Sequence, residues 1–177
     1  MNQKAAIEFV FIYVSAKEVP LNIEHVNLNE LFDITKDMFS TKLLARRISW
    51  AQPENILYAD VDRLSILRVI RIFVDNALKY GGDKLSEIRI GYEKSDLFHI
   101  ISVKDDGIGI GKNDSEKIFW LFSRSVTAGN IQGSGLGLAI ANGIAKKHKG
   151  RAWADTDSGK GVTFFISVSK DLSPTKL

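Results

Sequence analysis

Cysteine is absent from this 177-residue chain. That removes disulfide frameworks, thiolate metal sites and cysteine nucleophiles together, and it fits a reducing compartment such as the cytoplasm. No apolar run is long enough to span a bilayer. The most apolar stretch, residues 5–16, is broken by Glu8 and falls short of the roughly 20 residues a span requires. It also lacks a basic leader followed by a small-residue cleavage site. The chain is therefore expected to be soluble, with no direct membrane contact of its own, although a parent protein could carry membrane segments upstream. Nor is there an excess of one charge. The 24 Lys and Arg nearly balance 21 Asp and Glu, for a net charge of +3, and they are scattered, so no nucleic-acid footprint is present. The nearest basic cluster, Lys146, Lys147, Lys149 and Arg151, reads as a cationic helix C-terminus favoured by the macrodipole. Repeats and low-complexity segments are also missing, and the length fits one domain.

What is present is an ordinary globular composition with an uneven distribution of glycine. Eleven of the 14 glycines fall between Gly107 and Gly161, several in close pairs. Glycine permits positive φ and close approach to the backbone, so the clustering suggests either a ligand-cradling surface or a loop-rich half of the domain.

Periodicity outlines the elements. Residues 1–19 read as an exposed or partner-dependent helix, with a strand as the alternative. A helix follows from Asn27, its cap, to about Arg46. Residues 48–52 and 56–59 read as two short strands joined around Pro53. Asp60 or Asp62 caps a largely buried helix at about 62–80, ended by Gly81-Gly82. Strands are expected at 86–93, where Ile88, Ile90 and Tyr92 share a face, and at 97–104. A glycine-punctuated stretch leads to a helix after Gly133, ending near Gly150, and a hairpin-like pair at 151–156 and 162–168 closes the chain. The order predicts an α+β two-layer sandwich, with a mixed, mostly antiparallel sheet of about five strands covered on one face by three helices.

Three constellations carry chemistry. Asn76, Lys79 and Tyr80 share one face at the end of the buried helix. A carboxamide, an ammonium and an aromatic ring there could serve a cation, phosphates and a base, though lysine and tyrosine are common at helix ends. Next, a strand runs straight into Asp105-Asp106-Gly107-Ile108-Gly109-Ile110. Its Asp can accept from an exocyclic amine and its glycines leave room for a flat ring, or the segment is an ordinary acidic turn. Third, Gly133-Ser134-Gly135-Leu136-Gly137-Leu138 stands at a helix N-terminus, where free N–H groups and the dipole suit an anion. It is neither a dinucleotide fingerprint, since no strand leads into it and the spacing differs, nor a P-loop, since no Gly-Lys-Ser/Thr follows.

In this order and spacing the motifs resemble the ATP-binding catalytic domain of sensor histidine kinases. These belong to a superfamily that includes DNA gyrase, the mismatch-repair ATPases and the heat-shock chaperone ATPase. Asn76 to Tyr80 resembles the N box, Asp105 to Ile110 the G1 box, Ile118 to Phe122 the F box, and Gly133 to Leu138 the G2 box. Gly159-Lys160-Gly161-Val162-Thr163-Phe164 is similar to the closing motif. The resemblance implies that residues 23–170 form the ATP-binding domain, with 1–22 the tail of a dimerisation helix and linker and 171–177 a C-terminal tail. It implies ATP and Mg²⁺ as ligands, with Asn76 on the metal, Lys79 on phosphate and Tyr80 against adenine. Asp105 would read the adenine amino group, assisted through water by Thr163. Gly107, Gly109, Ile110 and Leu138 would line the pocket, and Gly135, Leu136 and Gly137 would hold the phosphates. Residues 111–132 would form a flexible ATP lid based on Phe119 and Phe122. Within it, Arg124 is either a γ-phosphate contact or a solvated loop arginine.

Two departures from the family pattern matter. Ile72 stands one turn before Asn76, where the family places Asn, His or Glu; it cannot accept a proton, so gyrase-type hydrolysis is not expected. The other is the acceptor: His25, His99 and His148 all read as structural or surface residues. The expected function is transfer of the γ-phosphoryl group of Mg-ATP to a histidine on a dimerisation domain lying outside this chain, with a response regulator downstream. The alternatives are a nucleotide-binding pseudokinase or ATP-gated interaction module, and a protein-serine kinase of the anti-sigma-factor type, disfavoured by Ile72.

Overall fold

The computed structural model describes residues 20–110, 117–119, 136–156 and 160–173. The expected helix over 1–19, Phe122, Arg124 and Gly135, and the expected lid apart from residues 117–119, lie outside the described residues.

A first strand, β1 (Ile23–Asn27), leads into helix α1 (Leu28–Ala45). Asn27 caps that helix by accepting from the Asn29 backbone N–H, as its residue type favours. Leu28, Leu31, Phe32, Thr35, Phe39 and Leu43 form its buried face. After β2 (Ser49–Ala51) and β3 (Tyr58–Asp62), helix α2 runs over Arg63–Tyr80 and buries Ile66, Val69, Ile70, Phe73, Val74, Ala77 and Leu78. Its cap is Asp62, whose carboxylate accepts from Ser65 N–H at 2.9 Å. Gly82, at φ +74°, takes the left-handed turn past the helix end. Strands β4 (Glu87–Lys94) and β5 (Phe98–Asp105), helix α3 (Gly137–Lys147), β6 (Ala152–Asp155) and β7 (Thr163–Ser169) complete the fold.

The strands form a five-stranded sheet in the order β2-β4-β5-β7-β6 and a separate two-stranded ribbon, β1-β3. Among the described strands only β2 and β4 pair in parallel, so the sheet is mixed and mostly antiparallel as expected. One face of this sheet carries Ile88, Ile90, Ile101, Val103, Phe164 and Ile166 into a single core shared with α1 and α2. Each such side chain contributes about 2 kcal/mol of burial.

Two expectations need correction. The two short strands expected at 48–52 and 56–59 lie at Ser49–Ala51 and Tyr58–Asp62: β2 adds to the edge of the main sheet, and β3 pairs with β1. Ile56, which drew that strand forward in the sequence, is 67% exposed. The partner strand β1 was not expected at all, because Ile-Glu-His-Val-Asn shows the burial pattern of a ribbon edge rather than clean alternation.

Helix α3 is fixed at its C-terminal end. His148 is fully buried, its Nδ1–H donating to Ile144 O at 2.9 Å and its Nε2 accepting from Asp62 N–H at 3.1 Å. Burial holds its pKa below the usual imidazole value. The next turn packs on β7 so closely that a Cβ at Gly150 would stand 1.9 Å from Ser167 O. Gly150→Ala is therefore expected to destabilise the domain by about 2 kcal/mol, as over-packing does; a denaturant midpoint equal to that of the parent chain would contradict this packing.

Candidate nucleotide site

The C-terminal end of α2 presents Asn76, Lys79 and Tyr80, all outside the fully buried core. Lys79 Nζ is ion-paired with Asp75, one turn back, at 2.5 Å. Beyond the helix, Gly81 and Gly82 lead into the segment before β4. Here three stretches of backbone meet without side chains between them. A Cβ on Gly107 would lie 2.4 Å from Gly81 Cα, and one on Gly161 would lie 1.8 Å from Asp105 O. Ile108 N–H donates to Gly81 O at 3.0 Å, and Gly161 N–H donates to Gly107 O at 2.7 Å. Gly109 and Gly161 both have positive φ, a conformation that L side chains strain to adopt. The helix end, the loop after β5 and the turn before β7 are thus stitched into one surface.

The consecutive aspartates that the sequence presents as one acidic turn have separate jobs. Asp106 points outward and accepts from Ser86 N–H, Ser86 Oγ and Glu87 N–H at 2.8, 2.5 and 2.9 Å. Burial opposes its ionisation, but these hydrogen bonds outweigh it and hold the carboxyl below the usual range. It anchors the start of β4. Asp105 is only 3% exposed and faces the core side of β5. Its Oδ1 accepts from Gly107 N–H at 3.0 Å. Burial pushes its pKa up to about 6, against the pull of backbone hydrogen bonds from Gly107 and Val162. A carboxylate so placed gains from an amino donor that replaces lost solvation. Thr163 is the adjacent residue across the sheet, opposite Lys104.

Helix α3 begins at Gly137, and its N-cap residue, Leu136, supplies no side-chain cap. The first N–H groups of the helix point to this end, where the dipole is positive. Ile72 reaches this point from α2: a Cβ on Gly137 would stand 3.1 Å from Ile72 Cγ2. Leu138 and Ile110 both pack against the core. Phe119, in a short 3₁₀ turn at Lys117–Phe119, is buried edge-on to Phe164 at 6.4 Å, and Phe164 stacks on Phe73.

The described candidate residues therefore converge on one junction of α2, α3 and two strand ends. The histidines do not join them: His25 lies on β1 with Asp60, His99 hydrogen-bonds Tyr92 at 2.6 Å, and His148 is the α3 anchor. Sequence reasoning missed Asp75, although its i, i+4 spacing from Lys79 is a readable signal. It also missed Gly81 as the seat of the loop, which no local pattern shows.

Residues 61–172, which hold this junction, match the model of the histidine kinase-, DNA gyrase B- and HSP90-like ATPases. The chain belongs to this ATPase family. Its relatives include sensor histidine kinases. The chain is 36% identical to the sensor histidine kinase WalK of Bacillus subtilis, over 86% of this chain and 26% of that protein. With the WalK of Staphylococcus epidermidis it shares 33% identity over 79% of this chain and 26% of the relative. It thus spans about a quarter of the length of these proteins. Among solved structures, the catalytic domain of the histidine kinase ThkA superposes with a TM-score of 0.74 at 29% identity, covering 85% of this chain and 97% of that one. This is a histidine kinase ATPase catalytic domain, with the α+β fold of that class.

The raised pKa of Asp105 has a stability consequence. Its folded pKa of about 6 lies above the ordinary 3.8, so the folded state keeps a proton that the unfolded chain releases between these values. Stability from this group is then lost as pH rises through that window. Asp105→Asn keeps an acceptor for Gly107 N–H without titrating. Its stability relative to the parent chain should rise by about 3 kcal/mol from acid to neutral pH and level off above about pH 6. Urea midpoints measured across that range check this; a difference independent of pH would contradict it.

Proposed function

We propose that the chain binds Mg-ATP and transfers its γ-phosphoryl group to a histidine on a dimerisation domain, feeding a response regulator. The observation that carries this reading is the convergence of a buried carboxylate, a side-chain-free backbone cradle and the N-terminus of α3 on one junction. Asp105 would accept the adenine amino group, with Thr163 assisting through water, and Gly107, Gly109 and Ile110 would leave room for the ring against Tyr80. The α3 N-terminus at Leu136, Gly137 and Leu138 would hold the phosphates, and Lys79 would exchange Asp75 for a phosphate oxygen. Phe122, Arg124 and Gly135 keep the parts the family resemblance gives them. Support for a response-regulator partner comes from the ThkA kinase solved in complex with the response regulator TrrA, which superposes on 96% of this chain with a TM-score of 0.73.

The donor set fits Mg²⁺ of one kind. Among the described residues no group of three or more His, Cys, Asp or Glu could hold a metal. A hexacoordinate ion that keeps waters and takes phosphate oxygens needs only a single protein oxygen, which Asn76 supplies. When bound, the ion would neutralise phosphate charge.

Ile72 decides between chemistries. It packs against Gly137 and offers no group to activate a water. A neutral imidazole is already nucleophilic near pH 7 and needs no such base. In the proposed step a bond forms between the imidazole nitrogen and the γ-phosphorus while the bond to the ADP oxygen breaks. The same contact is what favours the second reading, a nucleotide-binding module without transfer.

Calorimetric titration with ATP tests the binding half of the proposal. Mg²⁺ is expected to tighten ATP binding about tenfold, and Asn76→Ala to remove most of that gain. No binding, or a Mg²⁺ effect untouched by Asn76→Ala, would overturn it.

A further inference from the structure

Helix α2 ends with carbonyls that have no partner within the helix. Ala77 O is taken by Gly81 N–H and Gly81 O by Ile108 N–H, both backbone donors. The rest of the turn is held from another helix. Arg46, the C-cap residue of α1, donates from Nη1 to Leu78 O and from Nη2 to Gly82 O, both at 2.6 Å. Its planar fork therefore spans the last turn of α2 and the left-handed residue beyond it, with Gly81 between the two clamped carbonyls. A guanidinium at the negative end of the dipole is electrostatically favoured as well. The backbone turns sharply after it, with Arg47 at φ +54° and Ile48 N–H returning to Leu43 O at 2.9 Å.

Gly81 is the surface on which Gly107 rests and the acceptor for Ile108 N–H. The segment holding Gly107 and Ile108 directly follows Asp105. We infer that Arg46 is a positioning residue for the base end of the bound nucleotide, acting through Gly81 on the Gly107–Ile108 backbone; this rests on the nucleotide reading above. Among the described residues the Arg46 guanidinium donates to Leu78 O and Gly82 O, at the end of α2, whereas the proposed phosphate site stands at the α3 N-terminus. A lysine at 46 has a single ammonium and cannot hold both carbonyls in the geometry of the fork.

The test compares Kd values of the full chain for Mg-ATP and for ADP by calorimetry, at a temperature where every variant is folded. Arg46→Ala is expected to weaken both nucleotides by the same factor, about fivefold. Arg46→Lys should recover part of that loss and serves as the second variant should the alanine protein fail to fold. Phe39→Leu, which truncates the core face of the same helix, should lower the melting temperature with both Kd values within about twofold of the parent. Arg46→Ala with parental Kd values and a lowered melting temperature would overturn the inference, leaving a structural clamp only. A loss confined to ATP would also overturn it, by pointing to the phosphate end. If the parent chain binds neither nucleotide, the nucleotide reading itself fails and takes this inference with it. If the parent binds both and Arg46→Ala binds them equally well, this inference alone fails.

Discussion

Backbone lies directly on backbone where Gly81, Gly107 and Gly161 meet, and the rest of the site depends on that contact. Side chains at Gly107 or Gly161 would overlap main-chain atoms at 2.4 and 1.8 Å, so three segments remote in sequence can approach only because these positions carry none. The contact fixes the helix end that presents Asn76, Lys79 and Tyr80 relative to the strand end that presents Asp105. Hydrogen bonds from Ile108 to Gly81 and from Gly161 to Gly107 close it. Outside it, Arg46 clamps the helix end and Asp106 holds the start of β4. Close packing of this kind transmits displacement rather than absorbing it, so small changes at the periphery reach the carboxylate.

The electrostatics follow from the packing. Asp105 is deep enough that burial raises its pKa, while its neighbour Asp106, one residue on, is solvated and hydrogen-bonded into a lower one. An amino donor from a ligand would stabilise the ionised form of Asp105. The N-terminus of α3 supplies the opposite preference, for an anion. Between the two stands α2, whose Lys79 is held by Asp75 and whose Ile72 touches Gly137. The arrangement offers an amine acceptor at one end, anion donors at the other, and an apolar contact where a hydrolytic enzyme would place a base. His148 and Asp62 join the far ends of α2 and α3, which keeps the two functional helices in a fixed relation.

Most of the architecture was legible in the sequence because its elements are strongly patterned. Helix α2 carries its own cap at Asp62 and its own stop at Gly81-Gly82, and β4 alternates cleanly through Ile88, Ile90 and Tyr92. The ribbon was not legible. β1 is short and charged, and Ile56 is apolar yet exposed, so tertiary pairing rather than local pattern sets β1 and β3. At the site, the glycine pairs mark where backbone approaches backbone, but not which glycines touch. The sequence gives no hint that Asp105 and Asp106 face opposite ways in function, nor that Arg46 reaches α2 across 32 and 36 residues. Such long-range donors leave no periodic trace. Asp75 left one, in its spacing from Lys79.

The nucleotide junction is proposed to serve phosphoryl transfer to imidazole rather than to water. The most direct measurement incubates the chain with Mg²⁺, γ-labelled ATP and the dimerisation domain that bears the acceptor histidine, and follows label on that domain. Label is expected to transfer in a form stable to base and labile to acid, as a phosphorylated imidazole is. Tight Mg-ATP binding with no label on the acceptor domain would contradict it.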